Sequence, residues 1–169
     1  MLRVLIFALM GSLLVIFQGT AFSAANLLGG ALPNTALILL VFFAVTNGSF
    51  LGEIVGTLIG LTYDLVGVLP FGLFILLCTL IGYLVGRLRN AFVSTHWLFW
   101  PIGITFISMI LWNVILIFLS FIFNLNLNDQ IFAIANLLEI LYTVLFAPLL
   151  FFILGRLELL ITRRPGGTR

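Results

Sequence analysis

Six stretches of this chain are almost continuously apolar, and short clusters of Gly, Pro, Asn, Ser and Arg separate them. They run over about 4–22, 33–46, 50–66, 71–86, 98–123 and 131–161. Within them, runs such as residues 37–44 and 73–77 do not alternate apolar with polar, as a membrane β-strand must. The pattern therefore predicts helices. Pro33 suits the first turn of the second, where its missing N–H costs nothing. Thr46-Asn47-Gly48-Ser49, Gly67 with Pro70, Arg87-Leu88-Arg89-Asn90 and the polar run 124–130 mark the following breaks.

Length fits this count. A helical span takes ~20 residues, so 169 residues hold about six with tight loops. The second stretch is the short one. Fourteen residues at 1.5 Å each make ~21 Å, against a hydrocarbon core of ~30 Å. A short complete span is expected there rather than a re-entrant hairpin.

Composition turns these helices into membrane helices. Hydrophobic residues make up 63% of the chain and charged residues 7%, too few to cover the surface of a water-soluble globule. One Cys excludes an internal disulfide. The expected architecture is all-α, one transmembrane domain over 1–162 with six spans, followed by a basic tail over 163–169. With six spans, Arg3, Arg87, Arg89, Arg156, Arg163, Arg164 and Arg169 all fall on one side, and the chain has no Lys. The positive-inside rule then puts both termini in the cytoplasm. Residues 4–17, followed by Ala21-Phe22-Ser23, also read as a signal peptide; the span is the preferred reading. The thinly spread arginines point to the bilayer and not to nucleic acid.

The third stretch carries the candidate chemistry. Gly52, Gly56 and Gly60 recur every fourth residue and form a stripe without side chains. Such a stripe admits another helix backbone, either the fourth stretch with its own Gly82 and Gly86 or a partner's helix. Glu53 and Asp64 lie about 16 Å apart along the axis, too far for one acid–base pair or one metal. Glu53 is expected near Arg87 or Arg89. Asp64 has no basic residue of this chain on its side, so it must be solvated, hydrogen-bonded, protonated or met by a partner. Asn136, Glu139 and Thr143 form a second polar stripe, with Asn113 a candidate to bond across helices. Asp129 is a plausible N-cap, Trp97 and Trp100 are interface anchors, His96 is a solvated loop residue, and Cys78 reads as a small apolar residue. No zinc spacing or phosphate-binding loop occurs, so neither an enzyme nor a cofactor is expected.

Pro33-Asn34, Gly52, Gly56, Gly60-Leu61-Thr62-Tyr63-Asp64, Gly72, and Gly82 with Gly86 resemble, in order and spacing, the MreD family of bacterial rod-shape-determining proteins. The likeness covers about a third of the chain. The family often carries Asp after the Pro, where this chain has Asn34. The resemblance implies a non-enzymatic inner-membrane scaffold of the cell-elongation machinery. Its direct partner would be the MreC transmembrane helix, with RodA, a class-B penicillin-binding protein and MreB filaments as indirect partners in peptidoglycan synthesis. It also implies a fold similar to the substrate-binding component of energy-coupling-factor vitamin transporters, and such a component is the alternative function. That alternative needs an outward polar pocket, for which Asn26, 124–130 and Asp64 are the material. Gly52, Gly56, Gly60 and Asp64 are the expected recognition surface, with Glu53, Pro33 and Asn34 as further interface candidates.

Overall fold

The computed structural model describes residues 2–24, 31–67, 70–89, 100–123 and 134–162. These form six helices: α1 (Leu2–Ala24), α2 (Thr35–Asn47), α3 (Ser49–Val66), α4 (Leu73–Arg87), α5 (Trp100–Ile122) and α6 (Ile134–Thr162). Three of them, α3, α5 and α6, are long and apolar enough to cross a membrane. Each helix lies within a few residues of the stretch that the apolar pattern marked. Asn26, His96, Trp97, Asp129, the run 124–130 and the tail over 163–169 lie outside the described residues.

The short second helix sits at the centre of the bundle. Residues 36–45 of α2 are all buried, and α1, α3, α4, α5 and α6 each pack against it. A helix apolar on every side must be enclosed on every side. Its 13 residues span about 20 Å, and α2 stands as the axle of the bundle rather than one of its walls. Around it, α1 packs on α3, α3 on α4, α4 on α5 and α5 on α6. Phe42 of α2 closes the side between α1 and α6, touching the rings of Phe7 and Phe151 at 6.2 and 5.3 Å.

One residue, Gly48, reverses the chain between α2 and α3. Its φ of +93° is left-handed backbone that glycine adopts without a Cβ clash. The turn brings the ends of α2, α4 and α6 together. Asn47 Nδ2 donates to Glu158 Oε1 at 3.3 Å, and the Arg89 guanidinium lies beside Gly48. Phe7, near the start of α1, packs on Phe43 near the end of α2. Arg3, Arg87, Arg89 and Arg156 consequently gather toward one end of the bundle.

The outer faces remain apolar. Leu9, Leu13 and Phe17 on α1, Val114 and Phe118 on α5, and Leu137, Leu141 and Leu145 on α6 are all more than half exposed. Exposed apolar area on this scale belongs in lipid or against partners.

Candidate functional site: two polar locks inside the helix bundle

The first lock is built on the glycine stripe. A Cβ at Gly52 would lie 2.7 Å from the Gly82 carbonyl oxygen, and one at Gly60 would lie 2.5 Å from the Phe74 carbonyl oxygen. At Gly56 it would collide with the Cys78 carbonyl. The reciprocal holds for Gly82 against Gly52 and for Gly86 against Ser49. The backbones of α3 and α4 thus touch along three turns, with no side chain between them. All three stripe glycines are buried inside the chain. This corrects the expectation of an open recognition surface at Gly52, Gly56 and Gly60. The position a partner's helix would take is filled by α4, and the alternative of packing on Gly82 and Gly86 is the one observed.

Asp64 ends that seam. It is 7% exposed. Its Oδ2 accepts the N–H groups of Gly72 and Ile75, each at 3.0 Å, and its Oδ1 accepts that of Phe74 at 3.0 Å. Those are the orphan donors of the first turn of α4, whose own N-cap, Gly72, has no side chain to offer. Asp64 is therefore an N-cap supplied by another helix, and the positive end of the α4 dipole favours its charge. A left-handed Gly72, with φ +100°, turns these N–H groups onto it. Of the four fates open to Asp64 from its position, the structure shows hydrogen bonding.

The second lock centres on Asn34. Its Oδ1 caps α2 by accepting Leu37 N–H at 3.0 Å, and also accepts the Tyr63 hydroxyl at 3.0 Å. Its backbone N–H donates to Thr143 Oγ1 at 2.9 Å, and its side chain lies beside that of Glu139. Gln18 Nε2 donates to the Pro33 carbonyl at 2.6 Å, and its Oε1 lies 3.3 Å from the Tyr63 hydroxyl. Thr143 in turn donates to the Glu139 carbonyl at 2.6 Å. Four elements, α1, α3, α6 and the entry to α2, are joined at this one node. Phe74 and Trp112 pack against Tyr63, the first tilted and the second edge-on, at centroid distances of 5.3 and 6.0 Å.

Pro33 sits two residues before α2 rather than in its first turn, because Asn34 takes the cap position. Gln18 and Tyr63 carry this node, yet neither stands out in the sequence as functional. The one available signal was that Tyr63 adjoins Asp64. Asn113 Oδ1 accepts Asn136 Nδ2–H at 2.8 Å, the cross-helix bond between α5 and α6 that the pattern suggested.

Glu53 departs from expectation. Among the described residues it forms no ion pair with Arg87 or Arg89; Arg87 instead donates to the Tyr83 hydroxyl at 3.2 Å. Glu53 borders a groove of about 540 Å³ between the outer edges of α3 and α4. Among the described residues no three His, Cys, Asp or Glu side chains converge to hold a metal. Comparison with family models, with curated proteins and with solved structures yields no match to this chain.

Proposed function

We propose that the chain is a six-span, non-catalytic scaffold of the bacterial inner membrane, with both termini cytoplasmic, that serves cell elongation as MreD-like proteins do. The observation that carries the reading is the use made of the resembling residues. Gly52, Gly56, Gly60, Asp64, Gly72, Gly82 and Gly86 are all spent on fixing α3 to α4. Residues invested in holding one rigid helix pair suit a platform on which other membrane helices dock. A transporter component suits them less, because its polar residues must stay open to a ligand. The helix ends support the topology: the described arginines gather toward one end, which the positive-inside rule assigns to the cytoplasm.

On this reading the direct partner is the MreC transmembrane helix. RodA, its class-B penicillin-binding partner and MreB filaments are reached through it. The polar side chains facing the α2 entry bond one another, which disfavours the vitamin-transporter alternative. The test is depletion of the chain in its native cell. Rod-shaped cells should round up and lateral peptidoglycan incorporation should fall, both restored by the wild-type chain. Unchanged shape together with loss of uptake of a vitamin-sized nutrient would favour the transporter reading instead.

A further inference from the structure

The α3–α4 seam has an outer edge as well as a locked inner one. That edge forms the groove bordered by Glu53, Thr57, Thr79, Tyr83, Leu76 and Leu80. Its floor is rich in acceptors. Thr57 spends its hydroxyl proton on the Glu53 carbonyl at 2.9 Å, so the 2.9 Å contact between the Thr57 and Thr79 hydroxyls takes its proton from Thr79. Thr79 and Glu53 both line the groove. Among the described residues no arginine pairs with the Glu53 carboxylate: Arg87 donates to the Tyr83 hydroxyl, Arg156 lies over the Phe152 ring on α6, and the Arg89 guanidinium lies beside Gly48. Leu76 and Leu80, at 46% and 40% exposed, supply an apolar shoulder. From Thr79 to Leu76 and on toward Gly72 the groove follows α4 for two to three turns, roughly 10–16 Å, the footprint of a crossing helix.

We propose that this groove receives a transmembrane helix of a partner protein that carries one Lys or Arg at the level of Glu53. The proposal rests on the scaffold reading and names the surface and the chemistry of its partner. Glu53 lies one turn into α3, toward the end where the arginines gather, in a groove whose other border is the apolar Leu76 and Leu80. A basic residue entering on a partner helix at that level pairs with the carboxylate at the edge of the bilayer while its stem covers Leu80. A lipid acyl chain would cover the leucines and leave Glu53 unpaired. A two-fold pair of these chains docked on the same face would bring like charges together. Because the α3–α4 backbones are in contact, the groove is preformed and docking spends little on ordering it.

The test places a photo-crosslinking amino acid at Leu80 of the full-length chain in its native membrane, with Leu141 on α6 as the control position. The expected adduct lies in a partner's transmembrane helix within about one turn of a Lys or Arg. Glu53→Gln should lower its yield about tenfold, as expected for losing one member of a desolvated charge pair, and leave the Leu141 adducts unchanged. Glu53→Arg should abolish the adduct, and changing the partner's basic residue to Glu should restore it. Glu53 makes no described side-chain bond within the chain, so these variants should unfold in detergent as the wild type does. Adducts with lipid alone, with a second copy, or with a helix lacking a basic residue would overturn the proposal, as would a yield indifferent to Glu53→Gln. If a basic helix from outside the elongation machinery is captured, the scaffold reading fails while the groove stands. If an MreC-type protein copurifies but is never captured at Leu80, the reverse holds.

Discussion

Replacing Asp64 removes the acceptor for three backbone donors at once, at the point where α4 begins. Each buried N–H left without a partner costs about 1–3 kcal/mol. Allowing for partial rescue by water at the turn, Asp64→Ala should destabilise the α3–α4 pair by about 3–6 kcal/mol. Asn retains one oxygen. Set toward Gly72 and Ile75, it serves two donors and turns its NH₂ toward the third, Phe74 N–H. Asp64→Asn should therefore cost about 2–3 kcal/mol. The chain carries its own reporter: its single cysteine, Cys78, is buried under Gly56 in the same seam. Maleimide labelling of Cys78 in detergent reads the opening of that seam. At 1.4 kcal/mol per factor of ten, Asp64→Ala should label at least about 100-fold faster, with Asp64→Asn intermediate. Labelling of both variants at the wild-type rate would refute the capping role. Loss of partner association with unchanged labelling would return Asp64 to a recognition role.

Three further predictions test the rest of the bundle. Gly56→Ala should destabilise by about 1–3 kcal/mol, since its Cβ meets the Cys78 backbone, whereas Gly103→Ala, with open space around it, should be neutral or slightly stabilising; thermal unfolding of the two in detergent checks the contrast. Asn34→Asp sets a second carboxylate beside that of Glu139. It should lower stability by about 1–3 kcal/mol, and adding Glu139→Gln should recover most of that in a double-mutant cycle. Tyr63→Phe loses the hydroxyl shared by Asn34 and Gln18 and should cost about 0.6–1.7 kcal/mol, read in the same unfolding assay.

How much of this was legible in the sequence depended on the kind of interaction. Helix positions follow from runs of apolar residues bounded by turn residues, so all six were readable to within a few residues. The Gly52–Gly56–Gly60 stripe was readable as a place where a backbone comes close, and Gly82 and Gly86 named its partner. Periodicity on one helix cannot decide between an internal neighbour and an external one; the pairing of α3 with α4 decides it. Asp64 was readable as anomalous but not as a cap, because the α4 N–H groups that satisfy it lie 8–11 residues away and are backbone, which leaves no mark in sequence. The shortness of α2 was visible, but its central place follows only from five helices sharing it. Gln18 and Tyr63 are single polar residues in apolar helices, and their meeting at Asn34 depends on how α1, α3 and α2 are arranged.

If this bundle serves by holding other membrane proteins, as proposed, purification of the tagged chain from its native membrane in mild detergent should recover a stoichiometric single-span companion with a periplasmic coiled coil, retained in Gly103→Ala and weakened when Glu53 is changed to Gln. Recovery instead with cytoplasmic ATPases, or with a bound vitamin-sized molecule, would contradict it.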